Sequence, residues 1–249
     1  SDCKPSEEEN SQAVETFDLY EKVRLSVTSE TMYDQRKDFF SYSSAHQQMA
    51  ENFKVENNLQ PVIETSVVLP GTLADDGVDP TSLGSAFHEL AQIMVETQSK
   101  VDEQTIDRLC LKNSVPQRAI SRVKQALELW SNSAIRQEAL AHDVVIAESP
   151  FTLQVDSEYG NYVEGAIDLL AYNKGSKDTL VVDYKTGDKG LSAAQIYEHH
   201  QMQANFYAYV LMQRGFTKVE CAFVCVEVEE AGQPHVARYI FDVNHQPRL

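Results

Sequence analysis

Asp168, Asp183 and Lys185 are the residues whose types and spacing point to chemistry. They sit in two short runs, Gly165-Ala-Ile-Asp168 and Val181-Val-Asp183-Tyr-Lys185-Thr-Gly187, and a third run, Gln203-Ala-Asn-Phe-Tyr207, follows them. Two carboxylates brought together repel each other and lose hydration, an arrangement that makes little sense unless a cation sits between them. Oxygen donors at that density suit Mg²⁺ or Mn²⁺, which keep several waters and use one or two carboxylates plus substrate phosphate. An amine beside them would either be held near an attacking water, its pKa drawn down by the metal, or neutralise a phosphorane-like transition state. The combination suits phosphodiester hydrolysis.

The elements that must position these groups are legible nearby. Tyr162 to Tyr172 and Thr179 to Tyr184 are apolar, β-branched runs separated by the turn-type cluster Asn173-Lys-Gly-Ser-Lys-Asp178, which predicts a hairpin. Opposed residue numbers in an antiparallel pair have a constant sum. A register centred between Gly175 and Ser176 therefore sets Asp168 across from Asp183, and opposed residues share a face. Asp183 and Lys185 lie two apart on one strand, so their side chains point the same way.

Upstream, Thr81 to Glu96 has helical periodicity through Leu83, Phe87, Leu90 and Met94, with Thr81 or Ser82 as the expected N-cap. His88 lies beside that stripe, where a histidine by itself reads as a satisfied core or boundary residue. Gly84, without a side chain, would let this helix approach the sheet closely. A second helix is expected from Ser192 to Gln213, and Gln203 and Tyr207, four apart, share one face of it. Taken alone, they read as a boundary polar residue and a core aromatic. His199 and His200 receive no role, because adjacent residues on a helix point in different directions.

In sequence, G-x-x-D, then V-V-D-Y-K-T-G, then Q-x-x-x-Y resembles the RecB-like branch of the PD-(D/E)xK nucleases, and most closely the C-terminal nuclease domain of AddA and RecB helicase-nucleases. Gly84-Ser-Ala-Phe-His88 matches that branch's G-x-x-x-H on a helix. Arg24-Leu-Ser-Val-Thr-Ser29 looks like the S-x-T segment that opens the domain, and Ala147-Glu-Ser-Pro-Phe151 like its first core strand. The resemblance implies a restriction-endonuclease-like α/β fold, an αβββαβ mixed sheet flanked by helices with an added helical region. It implies His88, Asp168, Asp183 and the backbone carbonyl of Tyr184 as metal ligands, and Lys185 as the catalytic lysine. Gln203 and Tyr207 would order the lysine or contact the DNA backbone. Glu148 would be a partner behind the ligands or a strand-edge charge. The implied activity is a metal-dependent DNA exonuclease in double-strand-break repair, fed by a helicase motor on the same polypeptide and an AddB/RecC-like partner. A stand-alone exonuclease and a non-catalytic binding domain of the same fold are the other readings.

Composition narrows the choice. The chain has 249 residues, enough for a full core. No stretch is apolar for long enough to cross a bilayer and no signal-peptide pattern opens the chain, so a cytoplasmic location without membrane attachment is expected. Of the four cysteines, Cys3, Cys110, Cys221 and Cys225, only the last two are close in sequence. RecB-like relatives with an iron–sulfur centre have one cysteine before the core and three close together after it, so no such cluster is expected here, and Cys221 and Cys225 should share a strand face as buried thiols.

The formal net charge of −17 is unusual for a domain that captures DNA through counterion release. Part of the excess lies in residues 1–22, an acidic, weakly periodic segment that reads as a linker. In a helicase-nuclease the motor delivers the DNA, so the acidic balance lowers affinity for free DNA more than it argues against chemistry. Lys54, Arg118, Arg122 and Lys124 are candidates for a local basic groove, or simply solvated helix charges.

Residues 23–249 are expected to form the nuclease domain, with a helical insertion at about 101–140, broken near Asn113-Ser-Val-Pro116, and a catalytic core at about 143–228. Strands are expected at Asp143–Val155, Tyr162–Tyr172, Thr179–Tyr184, Val219–Val228 and Val236–Val243. No Walker-type loop or helicase motif occurs in the chain.

Overall fold

The structure, a computed structural model, describes residues 39–41, 78–157 and 160–247. The acidic segment 1–22, Cys3, Arg24 to Ser29 and Lys54 lie outside the described residues.

Chain order is β1 (Phe39–Ser41), α1 (Pro80–Thr97), α2 (Glu103–Lys112), a 3₁₀ turn (Gln117–Ala119), α3 (Ile120–Ser131), α4 (Ala134–Leu140), β2 (Val144–Ser157), β3 (Gly160–Tyr172), β4 (Asp178–Lys185), α5 (Ala193–Gln213), β5 (Lys218–Glu230) and β6 (Gln233–Phe241). Among the described residues the strands form one mixed sheet of six, in the order β1-β3-β4-β5-β6, with β2 also paired to β3. β4 runs parallel to β5, as it must when a crossover helix joins them, whereas β2·β3, β3·β4 and β5·β6 are antiparallel. This is the expected α/β architecture. Among the described residues no helix is long and apolar enough to cross a membrane.

The β3·β4 hairpin adopts the register anticipated from its turn. Leu169 pairs with Val182 and Tyr172 with Thr179, so Asp168 and Asp183 stand one step beyond the last pair. There the strands part. β2 runs beside β3 from Val144 opposite Tyr172 to Ser157 opposite Gly160, with an irregularity between Gln154 and Ser157, and among the described residues β1 pairs parallel with β3 at Tyr162 to Glu164. Among the described residues, the edge of β3 from Gly165 to Asp168 is paired to neither β4 nor β1, and the two aspartates lie at this parting of the strands.

Each face of the sheet buries its own core. Leu83, Phe87, Leu90 and Met94 of α1 pack with α2, α3 and Trp130 over Leu169, Leu180, Val182 and Tyr184. On the other face, Ile196, Phe206, Tyr207 and Leu211 of α5 cover Val163, Ile167, Val181, Cys221, Phe223 and Cys225. Cys221 and Cys225 share that face as expected, and both are buried, as is Cys110.

Several boundaries differ from the sequence reading: β2 spans Val144–Ser157 rather than Asp143–Val155, β5 Lys218–Glu230 rather than Val219–Val228, and β6 Gln233–Phe241 rather than Val236–Val243. The N-cap of α1 is Asp79, whose carboxylate accepts from the Thr81 amide at 3.1 Å, with Pro80 at the first helical position, rather than Thr81 or Ser82. Proline lacks the amide that a helix start leaves unsatisfied anyway, so the cap falls just before it. The helical region also breaks a second time, where Ser133 caps α4 by accepting from the Arg136 amide. α5 starts on a capping box formed by Ser192 and Gln195.

Candidate active site

Asp168 sits where the β3·β4 ladder ends. Its Oδ2 accepts the backbone N–H of Tyr184 at 2.7 Å, so a side chain takes the strand amide that would otherwise pair with β3. That bond fixes one carboxylate oxygen and turns the other, Oδ1, toward His88 Nδ1 at 3.3 Å. In an antiparallel ladder a residue presents its N–H and C=O to the same neighbour. The Tyr184 carbonyl therefore leaves the same edge as the amide that Asp168 holds.

His88 arrives from α1. Its ring is wedged edge-on against Tyr184, at 5.6 Å between centroids, and against Phe87, at 6.4 Å. Gly84, one turn earlier, permits this approach, since a Cβ there would lie 3.0 Å from Thr186 Oγ1 in the loop after β4. The close approach anticipated for Gly84 is thus to the segment that follows Lys185. Burial lowers the His88 pKa, but the hydrogen bond and charge of Asp168 outweigh it and leave the imidazole above its ordinary value.

Glu148 completes a donor set with these two. One ligand atom each from His88, Glu148 and Asp168 lie within 4.8 Å of one another. The backbone of Glu148 has φ 49°, a left-handed conformation that costs a non-glycine residue about 1–3 kcal/mol and concentrates at functional sites. The pairing of β2 with β3 runs through Ala147 and resumes at Ser149, with Glu148 between the two paired segments. Desolvation, then the Asp168 charge, raises the Glu148 pKa. Sequence reading left Glu148 between a partner behind the ligands and an edge charge; its placement beside His88 and Asp168 makes it a candidate ligand. No sequence signal marks a left-handed glutamate.

Asp183 stands beside this trio and is held from the other side. It is 2% exposed. Tyr207 donates to its Oδ2 at 2.8 Å and Gln203 Nε2 at 3.0 Å, while Gln203 Nε2 also reaches the Tyr207 hydroxyl at 2.8 Å. Lys185 Nζ approaches Oδ1 at 2.6 Å. Burial nevertheless raises the Asp183 pKa despite the lysine. Lys185 is itself raised, because Asp183 and Asp168 together overcome the desolvation that would lower it. The two aspartates thus favour the ammonium form of Lys185.

The structure thus brings together His88, Glu148, Asp168, Asp183, Lys185, Gln203 and Tyr207. The donors fit a hard divalent cation with a borderline nitrogen ligand: carboxylate oxygens, one imidazole and a strand carbonyl, at the open end of a sheet.

The sequence pattern of the PD-(D/E)XK nuclease superfamily matches residues 58–246. The chain belongs to this superfamily. Its solved neighbours include a protein from Eubacterium rectale described as "Putative exonuclease", with TM-score 0.44 and 14% identity, the alignment covering 88% of this chain and 79% of that one. No curated protein matches. Nucleases of this superfamily use divalent metals, and the nuclease fold suggests phosphodiester hydrolysis.

Of the candidates for a basic groove, Arg122 and Lys124 are engaged in ion pairs. Arg122 forks onto the buried Glu227 carboxylate, Nε donating to Oε1 at 3.0 Å and Nη2 to Oε2 at 3.2 Å, and Lys124 pairs with Glu103 at 2.7 Å.

Proposed function

We propose that this chain is a metal-dependent DNA exonuclease of the RecB-like branch. In this reading it is the nuclease domain of an AddA/RecB-type ATP-dependent helicase-nuclease that processes double-strand breaks in the cytoplasm. The convergence of two carboxylates, a lysine and a histidine at the parting of β3 and β4 carries this reading. The in-order motifs that resemble AddA and RecB support the narrower assignment.

His88, Glu148, Asp168, Asp183 and the Tyr184 carbonyl would hold Mg²⁺ or Mn²⁺. When bound, the cation supplies Lewis-acid polarisation of the scissile phosphate and a water of lowered pKa. Lys185, charged and anchored by Asp183, is placed to stabilise the negative charge that develops on the phosphoryl oxygens. Tyr207 and Gln203 keep Asp183 oriented toward Lys185 through two hydrogen bonds to a single oxygen. The helicase motor and an AddB/RecC-like partner would deliver the DNA strand, which fits a chain with a formal net charge of −17.

The test is Mn²⁺- or Mg²⁺-dependent cleavage of end-labelled linear single-stranded DNA by the purified chain, beside Asp183→Ala and Lys185→Ala. Cleavage that needs metal and disappears in both variants supports the nuclease site. Absence of cleavage together with absence of calorimetric metal binding would overturn it in favour of a binding domain. Metal binding without cleavage points to dependence on the motor and partner. Full processive activity of the chain alone would instead favour a stand-alone exonuclease.

A further inference from the structure

Asp188, His199 and His200 converge on a second spot, separate from the ligands above. Asp188 comes from the loop after β4, and the two histidines from the first two turns of α5. One donor atom from each lies within 4.8 Å of the others. His200 Nε2 is 3.0 Å from Asp188 Oδ2, and both side chains are buried. Cys225 Sγ on β5 donates to the same oxygen at 3.3 Å and braces the carboxylate from beneath.

His199 makes the cluster more than a buried hydrogen-bonded pair. Consecutive helical residues point about 100° apart, yet the two imidazoles stack with centroids 4.6 Å apart and both reach the same carboxylate. His199 Nδ1 lies 3.8 Å from Asp188 Oδ1, which is too long for a hydrogen bond. It is within a few tenths of an ångström of the separation, about 3.3 Å, between two ligands of one tetrahedral zinc with bonds near 2.0 Å.

We propose that Asp188, His199 and His200 form a second cation site, for a borderline transition metal of the Zn²⁺ type. Two imidazoles and one carboxylate suit such an ion and not Mg²⁺, which prefers oxygen donors and retains its waters. Three protein ligands leave one position on the exposed side, toward His199.

The consequence is mechanical. His200 stacks flat on Phe223 at 5.1 Å, and Lys185 Nζ lies 5.4 Å over that same ring. Gln203 and Tyr207 follow His200 on α5 at three and seven residues, on the same side of the helix. An ion bridging Asp188 to α5 would pin the loop that follows Lys185 to the helix that orients Asp183. The proposal does not depend on nuclease activity, because it is read by metal binding alone.

The experiment is calorimetric titration of the chelator-treated full chain with ZnCl₂, repeated with Co²⁺ to record the visible spectrum of a four-coordinate site. His88→Ala removes a ligand of the first site, and His199→Ala removes the largely exposed ligand of the second without opening a cavity. The expected result is a Zn²⁺ site that survives in His88→Ala and weakens at least tenfold in His199→Ala, with the Co²⁺ band lost in parallel. Zn²⁺ binding unchanged by His199→Ala, or no stoichiometric Zn²⁺ bound by either the parent or His88→Ala, overturns the proposal.

Discussion

Phe151 lies across Gly165 on the neighbouring strand, so closely that a Cβ on Gly165 would sit 2.6 Å from Phe151 Cζ. The same ring touches Phe206 and Tyr207, at 5.6 and 6.2 Å between centroids. Gly165 thus provides room for an aromatic wedge that backs the tyrosine holding Asp183. Gly165→Ala should push Phe151 toward Tyr207, costing about 1–3 kcal/mol of stability as overpacking does. It should also lower cleavage while leaving metal affinity near that of the parent. Thermal unfolding beside single-turnover cleavage checks this; an unchanged unfolding temperature would show that the ring moves aside freely.

That glycine illustrates what the sequence disclosed and what it did not. The turn centred between Gly175 and Ser176 fixed the register of β3 and β4, because period-2 strands joined by a short turn have few alternatives. The apolar stripe Leu83, Phe87, Leu90 and Met94 fixed the buried face of α1 for the same local reason. Why Gly165 must be glycine depends on Phe151, fourteen residues earlier and reachable only through a sheet pairing. The left-handed backbone of Glu148 and the meeting of His199 and His200 on Asp188 are likewise set by other elements. The rule that adjacent helical residues diverge describes Cβ directions. It does not prevent two long side chains from bending to one carboxylate that the preceding loop supplies.

Glu148 is the residue whose role the structure changes most. If its strained backbone aims a metal ligand, Glu148→Gln keeps the shape and removes the charge. Mn²⁺ affinity should fall by about 10–100-fold, with cleavage falling in step and partly restored at high Mn²⁺. Calorimetry on the variant decides the matter. Unaltered Mn²⁺ affinity would return Glu148 to the status of a strand-edge charge.

Proton linkage gives a separate test of the ligand set. His88, Glu148 and Asp183 all have pKa values raised above their ordinary ones. Each therefore holds a proton more tightly than it would unfolded, and a cation must displace those protons to bind. For the two carboxylates the competition operates from about pH 4 upward, and for His88 from about 6.5 to above it. The rise in unfolding temperature produced by saturating Mn²⁺ should accordingly grow from pH 5.5 to pH 8. A shift independent of pH over that range would mean that these groups do not ligate the ion.

Arg122 separates a structural cation from a DNA-binding one. Its guanidinium forks onto Glu227, a carboxylate only 4% exposed that also accepts the Gly187 amide at 3.1 Å and pairs with Lys189 at 3.2 Å. Glu227 therefore ties α3 and β5 to the loop directly after Lys185. Arg122→Ala would leave that carboxylate, among the described residues, with Lys189 and one amide, and breaking such a pair costs about 3–5 kcal/mol when no other partner compensates. With Lys189 in place the loss should be smaller, about 2 kcal/mol, seen as a lower denaturation midpoint. Were Arg122 instead a phosphate contact, the variant would keep its stability and reduce the salt dependence of DNA binding by about one counterion. Measuring the denaturation midpoint and the salt slope on the same variant distinguishes the two, and the fork onto Glu227 predicts that only the midpoint moves.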